Sequence, residues 1–489
     1  MSEKLVLVLD EGTSSTRALL FARDGSIHGV AQKEIASDHP HAGWVEQDAA
    51  AIWEATRAVA ADMIAKAGGA DAIACIGITN QRETVVAWNR ETGDPLAPAI
   101  VWQDRRTAKA CDALRDAGHE EQVRQATGLL LDPYFSATKM HWMIDELPEV
   151  AAAAQQGTLA FGTIDSWLIF KLTGRHVTDA SNASRTSLMD LETCAWDAGL
   201  CDLFGVPAAT LPTIVPMSAA IADTALFGRA IPLTGSVGDQ QGATIGQGCL
   251  SPGAAKATFG TGLFALASTG TERRSSQHRL ISTLLLDDGR HRLFALEGSV
   301  FVAGSLVQWL RDKMDLLGDA AESEALAASV PDSGGVTIVP AFNGLGAPHW
   351  RADVTGSIHG LTFGVTKAHL VRAALEAVTM SCTDLANAFA ADGAAWEGLR
   401  VDGGMIANDW LAQDLADMLE LVVERPSNVE STARGAAMLA AAGAGLFEGV
   451  AEAVAAMLPD YREFMPSGDQ SVRQSRRENW DDALRRALS

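Results

Sequence analysis

A short apolar run, Leu5 to Leu9, breaks at Asp10-Glu11-Gly12-Thr13 and resumes at Ala18 to Phe21, and the same arrangement returns at residues 254 to 268 around Gly260-Thr261-Gly262. Apolar runs joined by a few residues containing glycine read as a β-hairpin. Two such hairpins in the two halves of one chain imply two related units facing each other. The boundary is expected near Gly246 to Ser251, with domains at 1–246 and 247–489. A length of 489 residues, beyond what one core ordinarily holds, points the same way.

Around the hairpins the pattern is α/β. Asp48 to Ala67 carries Ile52, Val59 and Met63 near one face of a 3.6-residue period and reads as a helix on the first sheet. Residues 72 to 79 are nearly all apolar, as in a strand covered on both faces. That strand turns abruptly polar at Asn80-Gln81-Arg82-Glu83-Thr84, and the run Ala99 to Val101 does the same at Trp102-Gln103-Asp104-Arg105-Arg106. Open α/β sheets keep ligands at the carboxyl ends of their strands, so both clusters are candidate sites. Further along, Val302 to Leu310 reads as a helix, residues 399 to 404 as a strand ending in two glycines before a helix at Asn408 to Leu419, and Ala433 to Ala444 as a packed helix.

The charge balance excludes some partners. With 38 Lys and Arg against 61 Asp and Glu the net charge is −23, which repels nucleic acid and anionic lipid. A nucleotide bound here needs local backbone donors and a metal ion. The six cysteines lack metal-ligand spacing, and no run approaches 18 apolar residues. The expectation is a cytoplasmic protein with reduced thiols and no integral membrane segment.

Phosphoryl transfer asks for phosphate donors, a metal and an acceptor for the alcohol proton. The turns Gly12-Thr13-Ser14-Ser15 and Gly260-Thr261-Gly262 offer backbone N–H groups and hydroxyls to phosphate. Neither a G-x-x-x-x-G-K-[ST] loop nor an H-R-D kinase loop is present. Asp10 and Asp239 are carboxylates beside glycines, suited to a hydrated Mg²⁺ or a substrate hydroxyl. A polyol also needs donors, acceptors and an apolar wall: Arg82 donates, Glu83 accepts, Tyr134, one of just two tyrosines, does either, and Trp102 and Phe264 cover carbon. Each feature taken alone is equally an ordinary turn, an Asx cap, a surface ion pair or a core aromatic.

The ordered set of longer motifs narrows this. GITNQRET (77 to 84), IVWQDRR (100 to 106), DPYFSATK (132 to 139), FGTIDSWLIFKLTG (161 to 174), TDASNASRT (178 to 186), GDQQGA (238 to 243), ALEGSVFVAG (295 to 304) and VPAFNGLGAPHW (339 to 350) resemble the FGGY carbohydrate kinases, and within them the members that phosphorylate glycerol. The resemblance implies two RNase H-like domains of the actin and hexokinase type, with ATP and glycerol meeting in the cleft between them and Mg²⁺ as cofactor. It implies Arg82, Glu83, Tyr134, Asp239 and Gln240 as acceptor ligands and Trp102 and Phe264 as their wall. Thr13, Ser14, Ser15 and Arg17, with Thr261, Gly304, Gln308, Gly404 and Asn408, match the nucleotide site. Asp239 matches the general base, and with Asp10 the metal side. Dimers or tetramers of identical chains are usual among such proteins. Glu11 stands where the family has Gln, which is expected to add charge near the phosphates, and Asp104 stands where Cys or another residue is common. The stretch Ala222 to Pro232 is shorter than the loop through which some bacterial relatives bind fructose 1,6-bisphosphate, and lacks the histidine phosphorylated in others, so neither control is implied.

Overall fold

The computed structural model describes residues 4–351 and 353–489. The first sheet holds β1 (Leu5–Glu11), β2 (Ser15–Phe21), β3 (Ile27–Glu34), β4 (Ile73–Asn80), β5 (Ser218–Thr224) and β6 (Ile231–Gly238), in the order β5-β6-β4-β1-β2-β3. The second holds β7 (Ala254–Phe259), β8 (Leu263–Gly270), β9 (Ile281–Asp287), β10 (Arg292–Val300), β11 (Gly398–Asp402), β12 (Val423–Pro426) and β13 (Tyr461–Phe464), in the order β9-β10-β8-β7-β11-β12-β13.

The two sheets share one plan. In each, the first hairpin strand lies inside the sheet, antiparallel to its hairpin partner and parallel to a later strand: β1 between β2 and β4, β7 between β8 and β11. An inner strand must be apolar on both faces. Leu7 and Leu9 accordingly face one core while Val6 and Val8 face another. The repeated hairpin of the sequence is the visible trace of this shared topology, an α/β fold of two RNase H-like units.

Helix α1 (Ala49–Lys66) lies on the Leu7 and Leu9 side and buries Ile52, Val59 and Met63 there. Its first turn is capped by the Asp48 carboxylate, which accepts from the N–H groups of Ala50 and Ala51 at 2.8 and 3.3 Å. Three further helices matter for the site: α2 (Asp239–Gly246), α3 (Gly304–Asp312) and α4 (Asp409–Leu419). Helix α3 begins two residues later than the sequence suggests, because Ala303 adopts φ −134° and ψ −92°, outside the helical range.

Helix α5 (Ser431–Gly443) belongs to the second half of the chain yet covers the Val6 and Val8 face of the first sheet and packs on α2. The backbones approach so closely that a Cβ on Gly435 would lie 1.9 Å from the carbonyl oxygen of Gly242. The two halves are thus interleaved rather than laid side by side. Strands β1, β4 and β6 run parallel, and their carboxyl ends come level, Asn80 pairing with Glu11 on one side and Gly238 on the other. Asp10, Arg82 and Asp239 converge there as a result. All six cysteines are unpaired, and among the described residues no helix is long and apolar enough to cross a membrane.

Candidate active site

Chain direction in a strand sends successive side chains to opposite faces, so Arg82 and Glu83 should diverge. They do not, because Glu83 adopts φ 62°, a left-handed conformation that a non-glycine residue holds only at a cost. The turn is closed by the N–H of Thr84 on the carbonyl of Arg82 at 2.8 Å, and the Ser136 hydroxyl donates to the Glu83 carbonyl at 3.0 Å. Both side chains are buried in one polar nest as a consequence.

Five charges meet in that nest. Arg82 donates to both oxygens of Glu297 at 2.9 Å and to the Gln241 Oε1 at 3.1 Å, while its Nε lies 3.2 Å from Asp239. Arg185 reaches Glu83 at 2.6 Å and Glu297 at 3.2 Å. Burial alone would raise the Glu297 carboxyl, but Arg185 and Arg82 outweigh it and hold the carboxyl down at about 2. Most donors of Arg82 are therefore spent on protein partners.

Asp239 is the exposed member, with a third of its side chain open to the cleft. It opens α2, where its carboxylate accepts from the N–H of Gln240 at 2.6 Å. Burial and the neighbouring Glu83 push it up to about 6, against the pull of Arg82. A carboxylate with that affinity is a better proton acceptor at neutral pH than an ordinary one.

The expected aromatic wall is assembled from three remote segments. Trp102 meets Tyr134 edge-on at 5.7 Å and Phe264, from β8 of the second sheet, at 6.5 Å. Its indole N–H donates to the Thr13 hydroxyl at 2.9 Å, which ties this wall to the first hairpin turn. The turn is itself fixed: the Gln47 amide donates to the Thr13 carbonyl at 2.6 Å, and the N–H of Gln81 to the Glu11 carbonyl at 2.7 Å. Ser14 is exposed at its tip, with Ser15 beside it at the start of β2. Buried Lys139 braces the wall from behind, donating to the Tyr134 and Phe135 carbonyls at 2.6 and 3.2 Å.

Arg17 bridges Asp10 and Glu430, the latter 2.7 Å away just before α5, so the first hairpin is anchored to the second half of the chain. Burial raises the Asp10 carboxyl while Arg17 opposes the shift. On the second sheet, the Thr261 carbonyl accepts from Ala303 and Ser305 at the start of α3. Gly304 lies where a Cβ would meet the Gly260 carbonyl oxygen at 2.5 Å and the Met405 Cβ at 3.9 Å, which brings the turn, α3 and the Gly404 segment together. Gln308 stands exposed one helical turn beyond Gly304. Asn408 caps α4, its Oδ1 accepting from the Leu411 N–H at 2.9 Å.

Residues 5–246 match the N-terminal domain of the FGGY family of carbohydrate kinases, and residues 255–444 its C-terminal domain. The chain belongs to the FGGY family of carbohydrate kinases. As a carbohydrate kinase it is a phosphotransferase. A glycerol kinase of Rhodospirillum centenum is 50% identical over 99% of this chain and 98% of its own length, and one of Alcanivorax borkumensis 50% identical over 98% of each. Among solved structures, a Plasmodium falciparum glycerol kinase with ADP superposes with a TM-score of 0.93 at 34% identity, covering 100% of this chain and 99% of its own. A xylulose kinase of Lactobacillus acidophilus, at 22% identity and TM-score 0.89 over 99% of this chain and 98% of its own, shares the fold.

One expectation for this FGGY kinase is overturned. Glu11 adds no charge near the phosphates: its side chain turns away from the cleft toward α1, accepts from the Thr56 hydroxyl at 3.1 Å and is wholly buried. Burial pushes it up to about 8, so it is neutral at pH 7. Asp104, the other departure, organises its own loop by accepting from the N–H groups of Val45 and Arg106 at 2.7 and 2.8 Å.

Glu297, Arg185, Gln241 and Lys256 were not foreseen as members of the site. Two of them left a signal, because Glu297 and Lys256 are charges set inside otherwise apolar strands, RLFALEGSV and AAKATF. A buried charge demands a partner, and the partners lie in the other half of the molecule.

Proposed function

We propose that this chain transfers the γ-phosphoryl group of ATP to glycerol, forming sn-glycerol 3-phosphate as the entry step of glycerol breakdown. The placement of Asp239 supports this most: a carboxylate of raised affinity, one third exposed on the cleft floor, with Gln240 beside it and carbon-covering rings of Trp102, Tyr134 and Phe264 around it. Full-length relatives that are glycerol kinases support the choice of acceptor.

In this reading Asp239 takes the proton of a terminal hydroxyl as its oxygen attacks the γ-phosphorus, and closure of the cleft keeps water out. Residues 1–246 present the acceptor and the first phosphate turn, and residues 247–489 the nucleotide. Thr13, Ser14, Ser15 and Arg17 face the phosphates from one side, and Thr261, Gly304, Gln308, Gly404 and Asn408 hold the nucleotide from the other. Asp10 and Asp239 lie two strand spacings apart, about 10 Å between backbones, and among the described residues no cluster of three metal-binding side chains occurs. A pair of carboxylates fits Mg²⁺, which keeps waters and phosphate oxygens as its other ligands. Held there, Mg²⁺ would supply charge neutralisation on the transferring phosphate. A cytoplasmic location and assembly into dimers or tetramers accompany this reading.

The test is ADP release with and without glycerol, followed by kcat/KM for glycerol, dihydroxyacetone, erythritol and xylulose. Glycerol-dependent release with glycerol the best acceptor is expected. A higher kcat/KM for erythritol or xylulose would replace glycerol as the substrate.

A further inference from the structure

Lys256 occupies the third position of β7, has no exposed surface, and belongs to no part of the mechanism above. Its Nζ donates to the Gln240 Oε1 at 2.6 Å and to the Thr258 hydroxyl at 2.7 Å. Thr258 in turn lies directly opposite Phe264 across the β7–β8 ladder, beside the aromatic wall. Burial lowers the lysine's affinity for its proton, and the carboxylates of Asp402 and Asp239 oppose that loss.

An ammonium group only donates, whereas a carboxamide has an accepting end and a donating end of the same shape. The end of Gln240 that meets Lys256 must therefore be its oxygen. The amide cannot rotate by half a turn without setting N–H against N–H in a buried site, a loss far larger than that of a hydrogen bond in water. The Gln240 Nε2 is thereby kept off Lys256, on a residue of the first turn of α2 directly after Asp239. Adjacent positions in the cleft then present a fixed acceptor, Asp239, and a fixed donor, Gln240, which is the pattern that two neighbouring hydroxyls of a polyol satisfy.

We infer that Lys256 is a positioning residue that fixes the Gln240 amide with its N–H groups toward the acceptor, so that recognition of one acceptor hydroxyl depends on a side chain from the other sheet. This rests on the reading of the chain as a glycerol kinase, which it deepens. It implies that the acceptor site is complete only when β7 and α2 are in register.

The experiment is a double-mutant cycle on the full chain with Lys256→Met, Gln240→Ala and both together. The readouts are kcat/KM for glycerol and for propanediols that each lack one hydroxyl, with KM for ATP alongside. Each single change is expected to lower kcat/KM for glycerol about tenfold. The double variant should match Gln240→Ala within about twofold, and KM for ATP should hold. The preference for glycerol over the propanediol lacking the recognised hydroxyl should shrink equally in both single variants, which a general loss of structure would not produce. Losses that multiply, or an unchanged preference in Lys256→Met, would overturn the inference. Should Lys256→Met lose its cooperative thermal transition, Gln240→Glu decides: it keeps an acceptor for the lysine but offers no N–H, and parental kcat/KM for glycerol in that variant would overturn the proposal. A parent chain without glycerol-dependent ADP release would instead remove the functional reading itself, so the two failures are distinct.

Discussion

Glu297 on β10 and Arg82 beyond the end of β4 stand on different sheets, yet two parallel hydrogen bonds of 2.9 Å join them, both side chains wholly buried. Replacing the carboxylate by the amide of Glu297→Gln leaves Arg82 and Arg185 buried without their shared counter-charge. A loss of about 3–5 kcal/mol in stability is expected, as for other broken buried pairs. Because the Glu297 carboxyl is held at about 2, below its ordinary 4.5, this contribution is present above pH 4.5 and disappears as pH falls toward 2. Thermal unfolding of parent and variant at pH 7 reads the effect, and coincident curves would show that the pair is not a stabilising one.

Asp239→Asn removes the proton acceptor while keeping the shape of the α2 entrance. Turnover is expected to fall by about 10²–10⁴, with ATP binding little changed. Steady-state kinetics together with nucleotide titration separate the two, and turnover within a few-fold of the parent would assign the base elsewhere.

The raised affinity of Asp239 sets a pH dependence. The base must be ionised to act, so kcat/KM for glycerol should climb as pH rises through about 6 and level off above it. An acidic limb displaced to the ordinary carboxylate range near 4 would mean that the neighbours of Asp239 do not act on it as drawn.

Glu11 offers a test of burial alone. Its carboxyl goes from an ordinary 4.5 in the unfolded chain to about 8 when folded, so its contribution is fully present below pH 4.5 and is lost as pH rises through about 8. Glu11→Gln has no such loss. Its stability relative to the parent should grow between pH 5 and pH 8 by on the order of 3–5 kcal/mol. Denaturant unfolding at the two pH values reads the difference; a gap independent of pH would place the Glu11 carboxyl in water.

Gly435→Ala would set a methyl group 1.9 Å from the Gly242 carbonyl oxygen and force α5 and α2 apart. An overpacking cost of about 1–3 kcal/mol or more is expected, although alanine is the better helix former by about 1 kcal/mol. Since α2 begins with Asp239 and Gln240, turnover should fall with stability. A variant at least as stable as the parent would mean that the helices give way freely.

Much of the acceptor site was readable from residue types at strand ends. Asp10, Arg82 and Asp239 converge because β1, β4 and β6 are parallel and end level, and alternation into polar clusters after apolar runs announces such ends. The rings of Trp102, Tyr134 and Phe264 were legible as a set only through the family resemblance of the chain, since nothing local says that three distant rings meet. Glu11 was misjudged for a local reason. In a strand, neighbours alternate sides, so a carboxylate next to Asp10 points away from the ligand and into the α1 interface.

Hairpin placement, the α/β alternation, the α1 cap at Asp48 and the family were all determined by the order of residues along the chain, because hydrophobic period, turn chemistry and capping act over a few positions. Which charges neutralise one another was decided only in three dimensions. Glu297 with Arg82 and Glu430 with Arg17 each join segments far apart in the chain. A buried charge selects its partner by distance in a dry interior, and that distance exists only once both sheets have formed and α5 has crossed back over the first.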